Sequence, residues 1–285
     1  MANLISIKRR VRTAQNVSKT TKAMQMIAAS KLKKAEDAAL SSRPYVEKLT
    51  SVSRNISKKI DKDNLIEYMK VPKDTSGSLM ILVAPDKGLC GGLVTNLARM
   101  LLIFTKENKK ISYVTVGKKA NGIVRLFAGD TVASFDFGTT LPSYDTVYPI
   151  MTIVDDYFLG KKVQDVYIIN SNFNSVFSQT PVIHKLLPVS FDLEDSQAIN
   201  GKALFEPSED VLLPGLIRHY LEMRLYQSLL ETYLSEQAAR MLAMQNATDN
   251  AKEIIEELRL LYNKTRQEKI TNEILDISGG MYAPV

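Results

Sequence analysis

Apolar positions recur every three to four residues at both ends of this chain and gather into short runs between them. At the N-terminal end the frame runs through Leu4, Ile7, Val11 and Ala14, then Ser18, Thr21 and Gln25. It resumes at Ala28, Leu32, Ala35 and Ala39. This spacing predicts a helix from about Leu4, with a coiled-coil seam whose middle is polar. Pro44 permits a kink, after which the helix resumes to about Lys59. Ala23, Met24, Met26, Ile27, Ala28 and Ala29 are apolar around almost the whole circumference, the mark of a helix enclosed on every side.

The C-terminal end repeats the pattern. A second seam runs through Leu230, Leu234, Gln237, Met241, Met244, Thr248, Ala251, Ile255, Leu258, Tyr262 and Thr265. Ser208 is the expected N-cap, with Glu209 and Asp210 favourable in the first turn and Pro214 tolerable near it. Leu216 to Ser278 contains 63 residues without glycine or proline. A helix of that length spans roughly 95 Å. It cannot bury its seam in a compact core, and the N-terminal seam is the available antiparallel partner.

Glycine and proline punctuate the middle. Leu79–Ala84 reads as a buried strand, Gly92–Lys106 as a helix, Ile111–Val116 as a strand and Ala120–Phe127 as a short helix. Val132–Phe135 is a third strand. Tyr144–Phe158 is helical in spacing but interrupted by Pro149, and Val163–Asn170 and Val182–Pro188 are further strands. Such alternation predicts an open, mostly parallel sheet with helices on both faces. The expected fold is α/β: a long antiparallel coiled coil of N- and C-terminal helices with an inserted Rossmann-like open-sheet domain. The expected segments are an N-terminal helix over 1–60, an α/β domain over 77–195 and a C-terminal helix over 208–285.

Composition changes this picture little. Of 285 residues, 45% are hydrophobic and 24% charged, so whole-chain disorder and collagen-like repeats are excluded. No apolar run is long enough for a transmembrane helix, and the start lacks the pattern of a secretory signal. Cys90 is the single cysteine, which fits a reducing compartment, and with His184 and His219 it cannot build a His/Cys metal cluster. Charge is more informative. The net charge is +6, but residues 1–60 hold fourteen Lys/Arg against three acids, a balance of +11. That arm suits either an anionic partner or a solvated lysine-rich face.

Candidate chemistry is sparse. The turn Asp86-Lys87-Gly88-Leu89-Cys90-Gly91-Gly92 joins a strand to a helix, where doubly wound sheets can hold phosphate on backbone amides. It matches neither dinucleotide nor P-loop spacing, and Val116-Gly117-Lys118 stands where a ribose-binding acid would end the second strand. A tight structural turn built on Gly88, Cys90 and Gly91 is the simpler reading. Lys87 and the helix start could activate Cys90, but a buried thiol is simpler. Neither histidine has a neighbour in sequence that suggests a triad. Asp155-Asp156 ends a helix, and Glu253, Glu256 and Glu257 read as an exposed face. No catalytic constellation is visible, and no cofactor is expected.

Several motifs together resemble one family. Lys22-Ala23-Met24-Gln25-Met26-Ile27-Ala28-Ala29-Ser30-Lys31, followed by Ser42-Arg43-Pro44-Tyr45, resembles the N-terminal signature of the gamma (central-stalk) subunit of the F-type rotary ATP synthase. Gly88-Leu89-Cys90-Gly91 with Asn96 is similar to the turn after the first strand of that family's inserted domain. Ala239-Arg240-Met241-Leu242-Ala243-Met244 through Ala247-Thr248-Asp249-Asn250-Ala251, and then Lys264 to Ile274, resemble its two C-terminal signatures. The motifs occur in family order over nearly the whole chain. Gln237 stands where bacterial members often have histidine, and the tail Gly279–Val285 departs from the usual leucine-ended one. With Cys90 alone, a chloroplast-type thiol switch is not expected.

The resemblance implies a rotor shaft that couples proton-driven rotation of a membrane ring to ATP synthesis or hydrolysis, without catalysing either itself. It implies as partners the alpha and beta subunits, the epsilon subunit and the membrane c-ring, with no nucleic acid and no small-molecule ligand. It places the protein peripherally on the cytoplasmic face of a bacterial inner membrane. Contacts with the alpha/beta ring are expected at Lys22, Met24, Ile27, Arg240, Met241, Met244, Arg266, Gln267 and Thr271, with Lys8, Arg9, Arg10 and Lys19 facing acidic loops. Two other classes stay open on residues alone. One is a nucleic-acid-binding coiled coil, although Tyr45 is the only aromatic in residues 1–60. The other is a nucleotide-binding enzyme built on the Gly88–Gly92 turn.

Overall fold

The computed structural model describes residues 4–57, 66–72, 75–107, 110–127, 129–191 and 209–280. Two helices bracket the chain: α1 (Leu4–Ser57) and α5 (Glu209–Gly280). Between them lie β1 (Ser78–Val83), α2 (Leu93–Glu107), β2 (Ile111–Val116), α3 (Lys118–Leu126), β3 (Asp130–Phe135), α4 (Val147–Phe158), β4 (Asp165–Ser175) and β5 (Ser178–Leu187). The contacts form two units. One holds the described residues up to Ala29 with those from Arg240 onward, and the other holds Ser30–Ala239. The boundary falls inside both α1 and α5.

The first unit is a pair of helix segments running antiparallel, since Thr21 meets Thr248 and Gln25 meets Gln245. The seam follows the three-to-four spacing. Ile7, Thr21 and Ala28 are buried on α1, and Met244, Thr248, Ala251, Ile255 and Leu258 on α5, with Leu4, Val11, Ala14, Ser18 and Gln25 half-buried. Its polar middle closes on itself: the Thr21 and Thr248 hydroxyls lie 2.7 Å apart, and Thr248 reaches the Met244 carbonyl at 2.7 Å. Each buried hydroxyl thus has a partner within the pair, and leaving one without would cost about 1–3 kcal/mol.

The second unit is built on a five-stranded sheet in the order β3-β2-β1-β4-β5. The first four strands are parallel, and β5 returns antiparallel on β4. Every residue of β1 is buried, as expected for a central strand covered on both faces. On one face Met80, Leu82, Tyr113 and Ile169 pack with Leu93, Leu97 and Leu101 of α2 and with Ala120, Ile123 and Val124 of α3. The chain then crosses back from β3 to β4, and a right-handed crossover puts α4 on the opposite face. There α4 buries Val147, Ile150, Met151, Val154 and Phe158. Within this unit Val46 and Leu49 of α1 pack against Met223 of α5.

Several boundaries differ from those expected. Strands β4 and β5 extend to Ser175 and back from Ser178, forming a hairpin with Phe177 exposed at its tip. Polar Asn172, Asn174, Thr180 and Gln179 hide the added length from a hydrophobic pattern. Pro149 does not interrupt α4; it sits in its first turn, where an amide hydrogen is dispensable, after a short 3-10 turn at Tyr144–Thr146. Pro44 likewise lies inside an unbroken α1. The expected cap Ser208, the tail residues 281–285 and the helix end at Lys59 lie outside the described residues.

At the carboxyl ends of β1 and β2 the backbones nearly touch. Gly117 has φ +100°, and a Cβ there would lie 1.9 Å from the Ala84 carbonyl oxygen. Gly117→Ala is therefore expected to cost on the order of 3–5 kcal/mol or prevent folding of the sheet, read by urea unfolding of the purified chain. In the helix pair, Thr21→Ala is expected to cost about 1–2 kcal/mol through the lost inter-helix hydrogen bond and lost packing, while Thr248 keeps the Met244 carbonyl. The double variant Thr21→Val/Thr248→Val, which removes both polar groups at nearly constant volume, should lose less than Thr21→Ala. Equal or greater loss in the double variant would show that the hydroxyl pair stabilises the seam beyond mutual satisfaction.

Candidate partner-binding surface

The helix pair of the first unit covers only its seam. In the apolar stretch of α1, Ala28 is 1% exposed, whereas Met24, Met26 and Ile27 are 39%, 58% and 58% exposed. A stretch apolar around the helix is thus half covered by the chain itself. The same holds further along α5. Beyond Thr265 every described side chain is exposed, including Ile270, Ile274, Leu275 and Ile277. Isolated exposed apolar residues are ordinary, but a succession of them on one unit marks a contact surface.

The residues expected to meet partners all fall in this unit. Lys22 is exposed and donates to Gln25 Oε1 at 3.2 Å. Met24, Ile27, Arg266, Gln267 and Thr271 are exposed, and Arg240 and Met241 are half-buried. Met244 is 5% exposed, on the inward side of the pair. Lys8, Arg9, Arg10 and Lys19 are exposed on α1. Arg9 and Arg10 flank a groove of about 360 Å³ whose walls are Ala14, Val17, Ala251, Ile254 and Leu258 with Thr13. Cationic groups beside apolar walls suit a protein surface that offers carboxylates and aliphatic side chains together.

The glycine turn of the second unit has a different construction. Leu89 and Gly91 adopt left-handed φ of 63° and 58°, which swings Cys90 into the core, where it is 2% exposed. Asp86, just before the turn, accepts three backbone amides: Lys118 at 2.9 Å, Phe137 at 3.3 Å and Gly138 at 2.8 Å. Its carboxylate therefore sits at the start of α3 and ties it to the segment after β3. The turn packs β1 against α2 and ties the ends of β2 and β3 together. Among the described residues no group of His, Cys, Asp and Glu could hold a metal ion.

Two polar clusters, one partly and one largely buried, escape the sequence pattern. Arg218 of α5 binds Asp155 of α4, Glu222 at 2.8 Å and the Tyr68 hydroxyl at 3.0 Å. Burial opposes its charge, but the bonds to Glu222, Asp155 and Tyr68 outweigh burial and raise its pKa further above the ordinary guanidinium value. Tyr144 donates to Glu222 at 2.8 Å, and burial, reinforced by that carboxylate, pushes its phenol well above the usual range. His219 links Tyr45 and Tyr144. The one local clue was spacing, since Arg218 and Glu222 stand four residues apart on a helix. His184 is half-buried in β5, and burial with the nearby Arg224 charge lowers its pKa. The second cluster centres on Glu231, whose carboxylate accepts from Arg43 of α1 at 2.7 Å and from the Phe173 amide of β4 at 3.2 Å. These groups bridge structural elements.

Comparison with known proteins follows the same lines. A family model described as ATP synthase matches residues 3–283. The ATP synthase gamma chain of Dehalococcoides mccartyi is 41% identical over 284 residues, covering 99% of each chain. That of Geobacter sp. strain M21 is 35% identical, covering 98% of each. Among solved structures, a chain of the Euglena gracilis mitochondrial ATP synthase OSCP/F1/c-ring assembly matches with a TM-score of 0.71 at 21% identity. The match covers 97% of this chain and 93% of that one. A chain of the Tetrahymena thermophila central stalk/c-ring matches with a TM-score of 0.60 at 24% identity, covering 80% and 99%. The fold is thus shared with those chains, and identity over nearly the full length of bacterial relatives makes this chain a member of the ATP synthase gamma-chain family.

Proposed function

We propose that this chain is the non-catalytic central rotor of an F-type ATP synthase. The observation that carries this reading is the bare apolar surface of a helix pair that has already satisfied its own seam. Met24, Met26, Ile27 and the aliphatic residues of the α5 end need cover that the chain itself does not provide. A ring of alpha and beta subunits supplies it. No described helix is long and apolar enough to cross a membrane, so the chain works as a peripheral subunit. Its place is the cytoplasmic face of a bacterial inner membrane, where the c-ring and the epsilon subunit engage the sheet unit.

The physical task of such a rotor is differential contact. An asymmetric object inside a three-fold ring touches each catalytic subunit differently, so each nucleotide site has a different affinity, and turning the object moves those states around the ring. In this division of labour residues 1–60 and 208–285 form the shaft, and residues 77–195 form the domain that receives torque. Lys22, Met24, Ile27, Arg240, Met241, Arg266, Gln267 and Thr271 face the ring, with Met244 behind them in the seam. Turns built on Gly88, Cys90 and Gly91 hold the sheet domain in shape. Exposed charge pairs are worth only about 0–1 kcal/mol each, so the contact is distributed and no single cation is indispensable.

Met24→Lys tests the reading. Its ammonium cannot be desolvated without cost, so it seeks a carboxylate on the surrounding ring and holds one rotary state too firmly. Proton pumping is expected to fall more than ATP hydrolysis, with both measured in the same membrane vesicles. Equal loss of both, or no loss of either, would remove Met24 from the rotor surface.

A further inference from the structure

The Glu231 carboxylate is a point where three elements of the Ser30–Ala239 unit meet. Glu231 is 6% exposed on α5. Its Oε1 accepts from Arg43 Nε at 2.9 Å and Nη2 at 2.7 Å, and from Gln227 at 3.0 Å. Its Oε2 accepts the Phe173 amide at 3.2 Å. One carboxylate therefore ties α1, α5 and β4 together.

The need for this joint follows from the sheet. Strand β4 pairs with β1 only from Asp165 to Ile169. Its continuation beyond that point has β5 on one side and, among the described residues, no strand on the other. Side chains of α5 take over that edge. Thr232 accepts from the Ser171 amide at 3.4 Å, Ser235 donates to the Ser171 carbonyl at 3.2 Å, and Glu231 accepts from Phe173. Glu231 alone among these three is shown bonded to α1 as well. Two further contacts of α1 with α5 in this unit do not reach the sheet: Val46 and Leu49 against Met223 are apolar, with no preferred direction along the helices, and the Tyr45–His219 hydrogen bond of 2.8 Å is exposed to solvent. Hydrogen bonds to a charged group are directional and roughly twice as strong as neutral ones, so the Arg43–Glu231–Phe173 bonds fix the helices in rotation and sliding where apolar packing does not.

We infer that Glu231 is a positioning residue for rotary coupling. With Arg43 it locks both helices to the sheet, so that torque received by the sheet reaches α1 and α5 together instead of being lost in slippage at the joint. The inference rests on the rotor reading above and adds to it a named element of torsional stiffness.

The test uses the assembled complex. Glu231→Gln and Arg43→Gln are made singly and together, each also carrying Phe177→Cys at the exposed hairpin tip as the attachment point for a probe. With the catalytic ring immobilised, the angular fluctuation of the probe reports the stiffness of the rotor. In vesicles, complex content, ATP hydrolysis and proton uptake are measured side by side. Each single variant is expected to widen the fluctuation about twofold and lower proton uptake per ATP by a similar factor. Hydrolysis should stay unchanged, and the double variant should be no worse than either single one, because all three break one joint. A residue that served stability alone would change complex content and leave stiffness per assembled complex untouched. If Glu231→Gln does not assemble, Arg43→Gln carries the test, since its side chain is 37% exposed and the change is mild. Unchanged fluctuation width, or losses that add in the double variant, would overturn the inference. A wild-type complex in which the probe never turns would overturn the rotor reading instead.

Discussion

A helix that carries one apolar stripe for some sixty residues without a breaker has to have that stripe covered, and everything else in this protein follows from how α1 covers it. The cover is supplied within each unit: Ile7, Thr21 and Ala28 face the α5 seam in one, and Val46 and Leu49 meet Met223 in the other. Small and polar seam residues keep the helices close without a large apolar core. The Thr21–Thr248 pair shows the device plainly. A hydroxyl on one helix satisfies a hydroxyl on the other, so the polar middle of the seam is a match between two sequences and not a gap in either.

Covering the seam leaves the opposite faces bare, and there structure and function join. A monomeric coiled coil would place charges on those faces. This one places Met24, Met26 and Ile27 on α1 and Ile270, Ile274, Leu275 and Ile277 on α5. In the sheet unit, polar groups do the opposite work. Asp86, Arg218 and Glu231 bind elements of the unit to one another.

The sequence announced the helices, the parallel strands and the seam residues because these rest on local periodicity. Ile111–Val116 was legible to the residue, since a short β-branched run between turn signals has few other readings. The all-round apolar stretch also pointed to Met24, Met26 and Ile27, which the chain leaves exposed. What stayed hidden depends on pairings distant in sequence. Nothing near Glu231 points to Arg43, nearly two hundred residues earlier, and nothing near Asp86 points to Gly138. The hairpin tip was missed because Asn172, Asn174 and Gln179 hydrogen-bond there without any apolar alternation. A buried polar residue looks like a surface residue until its partner is known.

The claim that α1 and α5 turn as one body is tested most directly by joining them covalently where their hydroxyls already touch. Thr21→Cys/Thr248→Cys in the assembled enzyme places two thiols at a 2.7 Å hydroxyl contact, and the native Cys90 is buried elsewhere. ATP hydrolysis and proton pumping are measured in the same vesicles before oxidation, after it, and after reduction. If the helix pair is a single rotor, the disulfide leaves both activities and their ratio at the reduced level. A loss of either on oxidation that returns on reduction would show that the helices move against each other during turnover, and would contradict the account.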